Sequence, residues 1–158
     1  MSYSSGVSRA FGRWLAALLA LVFAIALPAR AESGLEKLEL VTASGVTTLQ
    51  VEVMRTEADR ARGLMFRRYL PEDRGMLFEF RAQEPIAMWM KTTYLPLDMI
   101  FIARDGKVVR IARNAEPMSE TIIPSGGPAW AVLEVNAGLA DRIGLAEGDR
   151  VRHAIFAR

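Results

Sequence analysis

Cysteine is absent from the 158 residues and histidine occurs once, as His153. The first absence excludes disulfides, thiolate nucleophiles, thiolate zinc sites and redox dithiols. The second excludes multi-histidine metal sites and leaves no spare imidazole for a serine–histidine hydrolase. Neither sign of charge dominates: 20 lysines and arginines stand against 18 aspartates and glutamates. No internal repeat or low-complexity stretch is present, and a hydrophobic content of 51% with 24% charged residues is that of an ordinary globular chain rather than a disordered tail.

One long apolar run is present, residues 14–27 (WLAALLALVFAIAL), preceded by Arg9 and Arg13 and followed by Ala29-Arg30-Ala31. A positive start, a short apolar stretch and small residues where a signal peptidase reads are the marks of a secretory signal. Crossing a bilayer takes about 20 apolar residues, so the run is short for a transmembrane helix, although its retention as an uncleaved anchor stays open. The leader has no twin-arginine pair, which predicts export of the unfolded chain, and no cysteine follows to carry a lipid. The expected organisation is a signal peptide over residues 1–31, cleaved before Glu32, and a single periplasmic or secreted domain over residues 32–158. Arg9, Arg13 and Arg30 lie in the leader with no acidic residue, so 17 of the 20 basic side chains face 18 acidic ones in the domain. A nucleic-acid partner is therefore not expected. Contact with membrane is expected only through an uncleaved leader.

Within the domain, strand patterns dominate. Leu38 and Leu40 alternate with Lys37 and Glu39, and after Ser44-Gly45 the residues Leu49, Val51 and Val53 alternate with polar neighbours, which predicts a hairpin. Thr56 and Asp59 form a capping-box-like start to a short helix over residues 56–62, and Gly63 is placed to end it in a left-handed conformation. Residues 75–81 and 86–91 read as two strands, and residues 97–103, apolar on both parities, as a central strand covered on both sides. Asp105-Gly106 predicts a hairpin turn into residues 107–111. Residues 114–128, with three prolines and Gly126-Gly127, read as a long irregular loop, followed by a strand over 130–135, a helical turn within 137–143 and a last strand from Val151 to Ile155. The expected fold is mainly β: a small closed or nearly closed barrel, or a two-sheet sandwich, of about eight strands with one or two short helices. Met76, Phe78, Phe80, Leu133, Val135 and Ile155 are expected to share one core face.

The motifs Gly63-Leu64-Met65-Phe66-Arg67, Gly75-Met76-Leu77-Phe78, Trp89-Met90-Lys91-Thr92-Thr93, Pro96-Leu97-Asp98-Met99-Ile100-Phe101-Ile102 and Val132-Leu133-Glu134 occur in this order. In these motifs the chain resembles the bacterial and archaeal domain-of-unknown-function family 192, over roughly residues 38–156. One departure is Thr92, where that family usually has asparagine. The resemblance implies a compact, mostly β, barrel-like or sandwich fold, often behind an export signal. It implies no established activity, substrate, cofactor or catalytic residue.

The candidate binding surface is centred on residues 89–98, where Trp89, Lys91, Thr92, Thr93, Tyr94, Pro96 and Asp98 combine amphipathic rings with orienting charge. Ser125 of the 114–128 loop borders it. Arg62, Arg67 and Arg68 form a possible anion-binding cluster, and Glu134, isolated on an apolar strand, calls for a partner that one of these arginines would supply. The expected function is non-enzymatic recognition of a small molecule, glycan or polypeptide, with no catalytic residue, metal or cofactor assigned. Two alternatives stand beside it. Met88 and Met90, two thioethers on one strand face beside Trp89, resemble the methionine–tryptophan site of small periplasmic copper-carrying barrels and favour Cu(I), with His153 as a third ligand. Lys91, Asp98 and Ser125 are the components of a hydrolase with a serine–lysine dyad. Against these, methionine commonly fills irregular cores, a lysine–aspartate pair across the residue 94–96 turn is plain architecture, and His153 shares parity with Val151 and Ile155 as a core histidine would.

Overall fold

A computed structural model describes residues 34–156. The signal-peptide reading of residues 1–31 lies outside the described residues. The chain runs through β1 (Leu35–Thr42), β2 (Gly45–Met54), α1 (Glu57–Arg62), β3 (Arg74–Met88), β4 (Leu97–Ile102), β5 (Val108–Ala115), β6 (Ile123–Asn136), α2 (Leu139–Arg142), β7 (Arg150–Arg152) and a 3-10 turn at Ala154–Phe156. Seven strands form one curled sheet in the order β5-β4-β6-β3-β2-β1-β7. All neighbours are antiparallel except β2 and β3, whose parallel pairing needs the crossover that α1 and residues 63–73 supply.

The two edges of the sheet meet. Lys107, just ahead of β5, bridges Arg150 of β7. Val108 N–H donates to Asp149 O at 2.8 Å, Gly148 N–H to Val108 O at 2.8 Å and Val151 N–H to Gly106 O at 2.7 Å. The expected nearly closed barrel is thus present, held at its seam by a few hydrogen bonds. Gly106 makes this approach possible: its φ is +84° and a Cβ there would lie 2.5 Å from Val151 O.

Two separate cores flank the sheet. Leu38, Leu40, Leu49, Val51, Leu77, Ile100, Leu133, Val135 and Ile155 belong to one that draws on every strand and fills the barrel interior. Met76, Phe78, Met90, Met99, Phe101 and Val132 belong to the other, on the outer face of β3, β6 and β4, beneath residues 64–70. The expected grouping of Met76, Phe78 and Phe80 with Leu133, Val135 and Ile155 is corrected accordingly: the first three face outward and the last three inward. Residues 75–78 of β3, residues 131–135 of β6 and all of β4 are buried on both faces because the crossover and the segment after β3 cover them.

Several elements match the sequence reading closely. The hairpin pairs Leu38 with Leu49, and all six residues of β4 are buried. In α1, Asp59 N–H donates to Thr56 Oγ1 at 3.1 Å; Gly63 ends the helix with φ +48° and ψ −136°, positive in φ but outside the left-handed helical region expected for it. Three expectations are corrected. The last strand does not run to Ile155: β7 ends at Arg152, and Ala154–Phe156 turn into a 3-10 helix. Residues 75–81 and 86–91 do not form two strands: one strand runs from Arg74 to Met88, with register shifts between Glu79 and Glu84 and between Pro85 and Ala87 that bend it against β6. Residues 114–128 are also not loop throughout, because the bent β3 extends the ladder and recruits residues 123–128 into β6.

Candidate functional site

Glu134 sits on the outer face of β6, paired across the sheet with Met76 of β3 and Met99 of β4. It is 5% exposed. Among the described residues no side chain or backbone N–H donates to its carboxyl, and burial alone pushes its pKa up to about 8. A carboxyl so placed is mostly uncharged at neutral pH, which avoids the cost of a buried unpaired anion.

The space beside this carboxyl is a pocket of about 290 Å³. Its walls come from α1, from Gly63-Leu64-Met65, from Phe78 and Phe80 of β3, and from Met88, Trp89 and Thr93. Local interactions fix these walls. Arg60 donates to Arg55 O at 2.9 Å and Glu79 O at 3.0 Å, and its guanidinium lies 5.4 Å from the centre of the Phe80 ring, pinning α1 to β3. Arg67 forms a two-pronged pair with Glu52 at 2.5 and 2.7 Å, fastening the crossover to β2. That pairing raises the Arg67 pKa and lowers that of Glu52. Backbone bonds tie three loops together: Phe66 N–H to Thr92 O at 2.9 Å, Met118 N–H to Thr93 O at 3.0 Å and Met90 N–H to Ser119 O at 3.0 Å. Phe66, Thr92 and Met118 all take positive φ in this lacing (65°, 53° and 64°), an uncommon backbone for non-glycine residues and a frequent one beside functional sites.

The residues singled out from sequence divide into three groups. Trp89, Thr93 and Glu134 line the pocket together. Lys91 and Tyr94 lie on neighbouring surface: Lys91 Nζ is 5.4 Å from the centre of the Trp89 ring and 3.5 Å from Glu120, and Arg68 stacks on Tyr94 at 5.0 Å. The rest have structural partners. Asp98 is fully buried and accepts from Asn114 N–H and Ala140 N–H, both at 2.9 Å, so it anchors the positive-φ Asn114 and the start of α2. Ser125 is buried, accepts from Ile86 N–H at 2.9 Å and donates to Gly127 O. Pro96 O accepts from Ala137 N–H at 3.1 Å, while Thr92 Oγ1 donates to Lys91 O at 2.8 Å.

Three proposed combinations are therefore corrected. Lys91 meets Glu120 rather than Asp98 or Ser125, so the hydrolase constellation does not assemble. Glu134 receives none of the arginines: Arg67 is committed to Glu52, Arg68 to Tyr94, and Arg62 is exposed on α1. The copper set lacks its third ligand: Met90 is fully buried in the outer core and Met88 packs against it at the pocket, whereas His153 faces Glu36, Nε2 to Oε2 3.4 Å, with its pKa lowered chiefly by burial. Among the described residues no group of three or more His, Asp or Glu converges as metal ligands. Sequence reasoning missed Phe78, Phe80, Met65 and the α1 side chains as pocket walls. The available signal was Glu134 itself, a carboxyl alone on an apolar strand, whose solution turned out to be a cavity rather than an arginine.

Residues 39–153 match the family described as DUF192, Uncharacterized ACR. The chain belongs to this family. Two solved structures are similar to it. One, a Sinorhizobium meliloti 1021 protein described as a candidate transcription regulator, is 49% identical, with a TM-score of 0.75 over 77% of this chain and 95% of its own. The other, a protein of unknown function from Novosphingobium aromaticivorans DSM 12444, is 41% identical, with a TM-score of 0.74 over 78% of this chain and 89% of its own. Comparison with curated proteins gives no match. Four of the five DUF192 motifs quoted above contribute to the pocket, through Gly63 to Met65, Phe78, Trp89 with Thr93, and Glu134. Asp98, in the fifth, builds the barrel end instead.

Proposed function

We propose that this DUF192 chain is an exported, non-enzymatic binding module that takes a small molecule into the pocket above Glu134. The observation that carries the reading is a buried carboxyl, without a protein partner among the described residues, facing a cavity whose walls include Trp89, Phe78 and Met88. Buried polar groups are ordinarily satisfied, and one left open toward a cavity is poised for a ligand. A volume of about 290 Å³ suits a small molecule better than a polypeptide or an extended glycan. Export rests on the leader at residues 1–31. The description of the Sinorhizobium meliloti relative does not transfer readily, since residues 32–158 carry no basic excess and the two described α-helices span only six and four residues.

Two measurements test this. Native mass spectrometry of protein purified from its own cells should show a bound small molecule. The substitution Ala61→Trp, at an exposed helix position on the pocket wall, should abolish that species while the melting temperature stays within a few degrees. Retention of the ligand by the plugged variant would refute the pocket. N-terminal sequencing of the exported form should begin at Glu32, and recovery of the intact chain in membranes would instead make the leader an anchor.

A further inference from the structure

We infer that the pocket selects an uncharged ligand with a flat apolar body and one hydrogen-bond acceptor, a carbonyl or hydroxyl oxygen, directed at the Glu134 carboxyl; this rests on the binding reading above. Two buried polar side chains line the pocket: the Thr93 hydroxyl is spent on Lys91 O, while Glu134 lies between Met76 and Met99 and receives no donor. A group in that state offers an O–H, and the complement of a lone donor in an apolar cavity is an acceptor. Aromatic rings of Trp89, Phe78 and Phe80 provide the walls for a flat body.

The charged groups near the pocket argue against an ion. Glu57, Arg60 and Arg62 of α1 are the charged residues of its walls, and the lining from β3 and from residues 88–93 is uncharged. Two guanidiniums against one carboxylate disfavour entry of an ammonium. An anion on the floor would have no cation beside it, since Arg60 is held by two backbone carbonyls and the Phe80 ring and Arg62 is exposed on α1.

Four ring-sized probes separate the possibilities: acetophenone, benzylamine, benzoate and toluene, titrated into the exported protein and followed by backbone amide shifts of residues 61–65 and 88–93. At pH 6 acetophenone should bind about five- to tenfold more tightly than toluene, the span of one net hydrogen bond. That preference should vanish by pH 9.5, as the carboxyl ionises. Glu134→Gln, which keeps a donor but does not titrate, should retain the preference at both pH values, and Glu134→Leu should lose it at both. Tighter binding of benzylamine or benzoate than of acetophenone, or a preference indifferent to pH in the wild type, would overturn the inference while leaving the pocket in place. Failure of all four probes, toluene included, would overturn the binding reading itself.

Discussion

Thr92 carries a conformation that its side chain resists. Its φ of +53° is left-handed, where a β-branched residue is strained and asparagine is tolerated. The asparagine that the family resemblance leads one to expect here fits this backbone shape, with no need for a ligand hydrogen bond. Thr92→Asn should therefore stabilise the protein by about 1 kcal/mol, read as a rise of a few degrees in melting temperature. An unchanged or lower melt would mean that the bond from Thr92 Oγ1 to Lys91 O outweighs the strain. Glu134 gives a second prediction, in pH. Its folded pKa of about 8 lies above the ordinary 4.5, so the native state binds the extra proton between those values. Stability from this group is full below pH 4.5, falls as pH rises and levels off above 8, a loss on the order of several kcal/mol. His153, with a lowered pKa, works in the opposite sense up to pH 6.5, so the clean window is pH 6.5–8. Denaturant melts should show the wild type weakening across that window and Glu134→Gln holding steady. Parallel curves would indicate an ionised carboxylate.

At the scale of elements, the strand β3 shows both how far sequence reaches and where it stops. The hairpin, the capped helix, the doubly buried β4 and the turn at Asp105-Gly106 were legible because each follows from near neighbours: alternation, a cap, an apolar run, a glycine. In β3 the alternation of Met76, Phe78 and Phe80 with Glu79 and Arg81 suggested a one-sided strand, yet Leu77 interrupts the polar parity and marks burial on both faces. The second core was therefore hinted at, but its cover comes from residues 64–70, a stretch of the crossover outside any helix or strand, which no periodicity announces. The pocket was missed for the same reason, being built from the end of a helix, the bend of β3 and one carboxyl of β6. Phe78, 2% exposed, belongs to both the outer core and the pocket wall. Phe78→Ala should cost about 3–5 kcal/mol in urea unfolding, as large aromatic truncations do. A loss under about 1 kcal/mol would show that the outer core contributes little to folding.

For the whole molecule, stability has to come from these two cores and one continuous sheet, since there is no cysteine to cross-link it. The weakest line in that sheet is the seam between residues 106–108 and 148–151, where a few backbone bonds do the work of a full ladder. Gly106→Ala adds a methyl group 2.5 Å from Val151 O at a positive φ. It should destabilise by about 3 kcal/mol and expose the Val108 and Val151 amides to hydrogen exchange before those of β1 and β2. Equal protection of seam and hairpin amides in the variant would show that the barrel shifts to accept the methyl group.

The position of β7 has a consequence in time. This three-residue strand lies between β1, which precedes it by more than a hundred positions, and the start of β5. A chain emerging from a ribosome or a translocation channel begins at the other end, so the outer edge of β1 and the start of β5 stay bare until residues 148–152 arrive. Every earlier segment can form local hairpins, but none can complete the ring, and such distant pairing is slow. The last stretch of the domain to be delivered is thus the clasp that completes the ring.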